Sequence, residues 1–346
     1  MFPAASTVVG VDFGAPRRAR DQRRKIVAVA AHAVADRRYR VDAIGMNERL
    51  LVKDPPGWIA KELLDELLTR TVRIVAFDFP FSIPDALLRD EKFAANAGYT
   101  RGAFIGWRTF NAFVAERLPL GDPLDFRPFN AWRSRADRAR LWARRATDIV
   151  AGGQPPLKDK FQATFQMTLL GNAILSRLWE SHRYGILPFP GGRGSGEVIE
   201  VYPDATLRQM GLANYKSRPD EAIRRAIAAC TAVGITLDVD PRLPALCCRY
   251  SSGGKTPDYD AADAFVALCT AILHAKGVCR MAMDGDTFLK GSEGRRLGAE
   301  ERCAPGASRR NCPCRIARGA VARARDADTG DHRRLPCRST MRRAQS

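Results

Sequence analysis

Five acidic residues stand where a soluble surface would not put them. Asp12 closes the apolar run Val8–Val11, and Asp78 closes the run Val72–Phe77. Glu200 is embedded among Val198, Ile199 and Val201. Asp260 and Asp263 lie three apart at the head of the apolar stretch DYDAADAFVALCTAIL, residues 258–273. On a helix, residues three apart share a face, so this pair would project together from the start of a buried helix. An acid inside an apolar strand is expensive to bury without a partner. Carboxylates in contact repel, and are tolerated when a cation neutralises them or when some stay protonated. Hard oxygen donors of this kind suit Mg²⁺ or Mn²⁺. Two such ions roughly 3.5–4 Å apart activate water and stabilise the leaving oxygen in phosphodiester cleavage. Each acid also has a purely structural reading: Asp12 capping a turn, Asp78 bonding ahead of Pro80, Asp260 capping the last helix.

Other chemistries find less support. The histidines are His32, His182, His274 and His332, with no paired ligand spacing. His274, at the end of the last core helix, reads as a cap or core residue. Ser195 lies in Gly194-Ser195-Gly196, short of a full nucleophile elbow. The glycine-rich run 191–196 precedes a strand instead of opening a helix, which argues against a phosphate loop. Nine cysteines form no regular framework. Cys247-Cys248 and Cys312-Pro313-Cys314 are the close pairs, and neither has the partner knuckle of a zinc site. They read as free thiols in a reducing compartment. No run is long enough to span a bilayer and no basic-then-apolar leader opens the chain, so the expected location is cytoplasmic.

The elements that must position the acids follow from periodicity. Thr7–Gly14, Ile26–Val34 and Tyr39–Ile44 read as three strands in an antiparallel meander, joined first by a basic connection, Ala15 to Lys25, with five Arg before Lys25. Gly14 permits a turn beside Asp12. Trp58–Leu68 is an amphipathic helix, punctuated at its start by residues 54–57. Val72–Phe77 and Glu197–Tyr202 are further strands. Between them, residues 84–190 read as a mainly helical insertion, with helices at Trp107–Leu118, Asn130–Val150 and Gln162–Tyr184. Asp204 caps a short helix, Ala205–Met210, ending at Gly211. Pro219–Val233 is another amphipathic helix, and the acidic helix follows. The class is α/β, a mixed five-stranded sheet with its first three strands antiparallel, flanked by helices. Beyond about Lys290 the apolar period disappears, so residues 291–346 are expected to form a basic, poorly ordered tail after a domain spanning residues 1–290.

The net charge of +18 fits a polyanionic partner, most simply DNA or RNA. Residues 291–346 hold 14 Arg against 6 acidic residues, under half of that excess. The predicted helix 130–150 interleaves Arg133, Arg135, Arg138, Arg140, Arg144 and Arg145 with Trp132, Leu141 and Trp142. Cations with aromatics are what a nucleic-acid surface offers, and a solvated helix face with aromatics in the core is the competing account.

These segments carry a resemblance. Gly10-Val11-Asp12-Phe13-Gly14 resembles the first-strand motif of the ribonuclease H-like superfamily. Asp260-Ala261-Ala262-Asp263-Ala264 resembles the final acidic helix of bacterial Holliday-junction resolvases. With Ala76-Phe77-Asp78-Phe79-Pro80, Glu200-Val201-Tyr202-Pro203, Leu207, Gly211 and Tyr215-Lys216, the set over about residues 7–290 is similar to the DUF429 family of predicted ribonuclease H-like nucleases. The resemblance implies a ribonuclease H-like fold and a Mg²⁺- or Mn²⁺-dependent nuclease. It further implies that Asp12 bridges the metals, with Asp78 and Asp263 as further ligands and Asp260 as a ligand or a supporting acid. Glu200 becomes either a ligand or a hydrogen-bond acceptor that holds its turn. Two other classes compete: an actin-like or sugar-kinase-type ATP phosphotransferase of related fold, and a nucleic-acid-binding protein without catalysis. The first needs a second phosphate hairpin, for which Asp284-Gly285-Asp286-Thr287 has the wrong order.

Overall fold

The computed structural model describes residues 7–42, 57–70, 72–133, 138–159, 163–189, 194–239 and 259–278. The expectations for the 291–346 tail, the two cysteine pairs, the Asp284–Thr287 segment, and parts of the 191–196 and 130–150 segments lie outside these residues. Seven strands run β1 (Thr7–Phe13), β2 (Ile26–Ala35), β3 (Arg38–Asp42), β4 (Ile74–Asp78), β5 (Tyr184–Ile186), β6 (Gly196–Glu200) and β7 (Thr236–Val239). They form one mixed sheet in the order β5-β6-β4-β1-β2-β3-β7. Only β2 runs against the others: it pairs antiparallel with β1 and β3, while every other pairing is parallel. The first three strands thus form the antiparallel meander read from the sequence.

The sheet has seven strands where five were expected. The additional pair, β5 and β7, are its two edges and hold three and four residues. Segments that short carry too little alternation to stand out. β5 also falls inside the stretch read as helical insertion.

The helices are α1 (Ala19–Gln22), α2 (Ala60–Thr69), α3 (Asp85–Leu88), α4 (Glu91–Asn96), α5 (Trp107–Arg117), α6 (Arg138–Leu141), α7 (Ala146–Ala151), α8 (Ala163–Glu180), α9 (Pro203–Gln209), α10 (Pro219–Ala232) and α11 (Asp260–Ala275). They divide between the two faces of the sheet. Val9, Val11, Phe13, Val75, Phe77 and Val198 point to the face covered by α2, α5 and α8. Val8, Val29, Ile74, Ala76 and Ile199 point to the face covered by α9, α10 and α11. This is the two-residue alternation of strands, expressed as two separate cores.

The predicted helix Asn130–Val150 is not continuous. It is replaced by a 3₁₀ turn, Arg127–Arg133, then the short α6 and α7. Three side chains account for the breaks. Trp132 is buried and donates to Phe93 O at 2.8 Å. Trp142 donates to Asp159 at 2.9 Å. Arg145 is extended (φ −70°, ψ 160°), which ends any helix running through it. The aromatics that suggested a stacking surface are therefore core or bonded residues. Likewise α9 starts two residues earlier than expected, with Tyr202 as its cap and Pro203 in the first turn, where a missing N–H costs nothing. Asp204 lies within that turn and pairs with Arg208 at 2.9 Å.

α11 is the most deeply buried helix, packed against β1, β2, β4, α9 and α10. Gly10 makes this approach possible: a Cβ there would fall on Leu268 N and Ala264 O, both main-chain atoms of α11. No helix among the described residues is long and apolar enough to cross a membrane.

Candidate metal centre

The register of β1 and β4 builds the first half of the site. Asp12 stands directly opposite Asp78 in a parallel pair, so both side chains leave the same face of the sheet. Their neighbours explain which face. Val11 and Phe13 flank Asp12, Phe77 and Phe79 flank Asp78, and all four point into the opposite core. Phe79 packs on Phe13 and Phe77, each at 4.9 Å between ring centres, and on Phe81 at 5.2 Å. This aromatic cluster anchors the strand ends from below and turns the two carboxylates towards α11.

The second half is the first turn of α11. With the helix held against Gly10, Asp263 arrives at the same place. Carboxylate oxygens of Asp12, Asp78 and Asp263 all lie within 4.8 Å of one another. Asp12 and Asp78 are partly buried, and Asp263 is 3% exposed. One oxygen of Asp263, Oδ1, is buried and has no hydrogen-bond partner. A buried carboxylate oxygen without a donor is costly, and a cation is the partner that would satisfy it. Three oxygen donors within one small volume are also the donor set that Mg²⁺ and Mn²⁺ take. The group could therefore hold a metal ion.

Electrostatics point the same way. Burial raises Asp12 well above the usual carboxylate range, and the charges of Asp260, Asp263 and Asp78 raise it further against the pull of Lys25. Burial, then Asp263, raises Asp78, while Lys216 lowers it. Burial raises Asp263 to about 7, opposed by a hydrogen bond from Tyr215 and the charge of Lys216. Three carboxylates that resist ionising together are a site short of positive charge.

The other two candidate acids are served by cations of the protein. Asp260 is the first residue of α11, capped by Tyr259. Its carboxylate pairs with Lys25 at 2.7 Å, and it is not one of the three grouped acids. Glu200 points to the other face of the sheet, as its register partner Phe77 does. There it takes two bonds from Arg145, at 2.8 and 2.6 Å, and one from Phe81 N at 3.0 Å. Arg145 is 2% exposed and also binds Asp148 at 2.7 Å. Glu200 thus fixes the loop after β4 through Phe81 N, and not its own Tyr202-Pro203 turn as its other reading had it. His274, in the last turn of α11, meets Glu197 at 3.3 Å.

Three residues at the site went without a role in the sequence. Tyr215, in the 3₁₀ turn Tyr215–Ser217, is buried and holds Asp263; burial and the Asp263 charge push its own hydroxyl up. Lys216 sits 4.2 Å from the Tyr259 ring centre. Burial disfavours its charge, but Tyr259, Asp263 and Asp78 together raise it. Lys25 was visible only as the end of a basic run. The tyrosine–lysine dipeptide was a signal, but only as part of a resemblance. No family model, curated protein or solved structure matches the chain.

Proposed function

We propose that the chain is a divalent-metal-dependent nuclease, hydrolysing phosphodiester bonds of DNA or RNA. The observation that carries this reading is the group Asp12, Asp78 and Asp263, with its unpartnered Asp263 oxygen at the C-terminal ends of β1 and β4. Open α/β sheets bind ligands at that end. The order β3-β2-β1-β4-β6 with β2 reversed is in keeping with a ribonuclease H-like sheet. Fold alone does not fix activity, so the argument rests on the acids.

Asp12, Asp78 and Asp263 would hold the ion. Bound there, Mg²⁺ or Mn²⁺ supplies activation of water and neutralisation of charge developing at the phosphate. The protein supplies the rest. The Tyr215 hydroxyl fixes the orientation of Asp263. Lys25 pairs with Asp260 and offsets part of that acid's charge, which still raises Asp12 and Asp263. Lys216, whose charge acts on Asp78 and Asp263 and which has no ion pair among the described residues, would meet a phosphate oxygen. Water adds across one P–O ester bond, leaving a phosphate monoester end and a hydroxyl end. A reducing cytoplasmic setting suits Cys230 and Cys269, which are buried and form no disulfide among the described residues.

The test is cleavage of single-stranded, duplex and branched DNA and RNA with Mg²⁺, Mn²⁺ or EDTA. Metal-dependent cleavage by the wild type, absent from Asp12→Asn and Asp263→Asn, supports the reading. Cleavage that survives EDTA or either substitution overturns it. ATP turnover without cleavage would favour phosphotransfer.

A further inference from the structure

We propose that the β1–β2 connection, residues 17–25, is the surface on which the nucleic-acid backbone docks. This deepens the nuclease reading and rests on it for the identity of the polyanion.

The segment reads Arg17-Arg18-Ala19-Arg20-Asp21-Gln22-Arg23-Arg24-Lys25, five Arg and one Lys against a single acid. It leaves β1 just beyond Asp12 and returns at Lys25, whose ammonium meets Asp260 beside the three grouped acids. Its near end therefore borders the proposed centre.

The segment is tied down along its length. Arg17 O accepts from Leu124 N at 2.7 Å, and Ala19 N donates to Asp122 at 2.9 Å. Gln22 is fully buried and accepts from Ala60 N at 2.9 Å. Arg23 pairs with Glu62 at 2.5 Å, and its carbonyl accepts from Gly57 N at 2.8 Å. Gly14 N donates to Lys25 O at 2.6 Å and closes the connection.

Between these anchors Arg18, Arg20 and Arg24 are exposed, and none has an ion pair among the described residues. They share this with Arg101 and Arg144 of the insertion, but lie on a segment that ends at the Lys25–Asp260 pair. Most exposed arginines on the helices are neutralised nearby: Arg70 by Glu66, Arg89 by Asp85, Arg177 by Glu180, Arg224 by Asp220. In the insertion, Arg140 pairs with Asp90 and Arg145 is consumed by Glu200 and Asp148. Three guanidiniums held by a pinned backbone next to a hydrolytic centre form a pre-ordered phosphate-binding rim. Little freedom is lost on binding, and each contact releases a counterion. Lys25 acts on Asp12 and Lys216 on Asp78 and Asp263, so a strand running from the rim to Lys216 would bring a phosphate to the carboxylates.

The test uses the full chain carrying Asp12→Asn, so that binding is read without turnover. Binding of labelled DNA and RNA 20-mers is followed by fluorescence anisotropy across a salt series. The variant adds Arg18→Ala, Arg20→Ala and Arg24→Ala. A control instead adds Arg70→Ala, Arg177→Ala and Arg224→Ala, removing equal charge from paired sites. Loss of three phosphate contacts predicts a slope of log affinity against log salt shallower by about 2–3, with affinity weakened roughly tenfold or more at low salt. The control should stay within a few-fold of the parent. Melting temperatures matching the parent show that both variants fold. Equal slopes for parent and rim variant, or equal losses in rim and control, overturn the proposal. A rim-dependent slope in a protein whose wild type cleaves nothing keeps the docking surface and sinks the nuclease reading.

Discussion

Two acidic clusters sit at the ends of neighbouring strands, on opposite faces of one sheet. On one face Glu200 and Asp148 close around Arg145, a buried cation held by both carboxylates and by its own backbone N–H to Asp148 at 2.8 Å. On the other face Asp12, Asp78 and Asp263 converge with no side-chain cation among them at ion-pair distance within the described residues, and with one oxygen unpartnered. The same residue types do opposite things. The first cluster is complete and holds the insertion to the sheet. The second could hold a cation from outside. Burial alone does not mark a functional acid; burial without an ion pair marks a candidate.

The sharpest way to break this contrast is to remove the internal cation. Arg145→Met leaves the buried Asp148 and the partly buried Glu200 without their partner. Removing one member of a buried pair costs about 3–5 kcal/mol, so chemical denaturation should show a loss of that size. A loss under about 1 kcal/mol would mean the pair is not what secures α7 to β6.

A smaller effect is expected from Gly10→Ala. The added methyl meets main-chain atoms of α11 that cannot rotate away. Overpacking of this kind costs roughly 1–3 kcal/mol. Because α11 carries Asp263, metal affinity should fall together with stability. Unchanged metal affinity at reduced stability would separate the helix position from the site.

The pH dependence sharpens the comparison from the other side. Asp263 titrates near 7 in the folded chain, against about 3.9 for an unfolded aspartate. Between those values the folded state holds more protons than the unfolded, so stability falls as pH rises through that window. In EDTA the melting temperature should drop by a few degrees from pH 5 to pH 8, roughly 4–8 °C per kcal/mol for a small domain and less for a larger one. Mg²⁺ or Mn²⁺ should restore it more at pH 8 than at pH 5, since protonated carboxylates do not bind metal. Asp263→Asn should make the EDTA profile shallower, the raised Asp12 and Asp78 keeping part of the slope. A profile that rises with pH in EDTA would reverse the assigned sign.

The sequence made the strand-then-acid pattern readable, and with it Asp12, Asp78 and the acidic helix. It did not reveal which face each acid takes. Glu200 and Asp78 both look like acids closing apolar strands, but the Phe77–Glu200 register puts them on opposite sides. That register depends on two strands far apart in the chain meeting in space. The Lys25–Asp260 pair, 235 residues apart, was hidden for the same reason. Local composition misled at residues 130–150. Interleaved arginines and tryptophans looked like a binding helix, whereas tertiary bonds from Trp132, Trp142 and Arg145 broke it. The edge strands β5 and β7 were simply too short to show a period.

The central claim is that three uncompensated carboxylates await a cation and that the compensated ones do not. Calorimetric titration of Mn²⁺ into the EDTA-stripped chain tests it directly, with Asp12→Asn, Asp78→Asn, Asp263→Asn and Glu200→Gln in parallel. Saturable binding by the wild type and Glu200→Gln, lost in all three asparagine variants, is the predicted result. Absence of saturable binding to the wild type, or binding that persists in Asp12→Asn, would contradict the account.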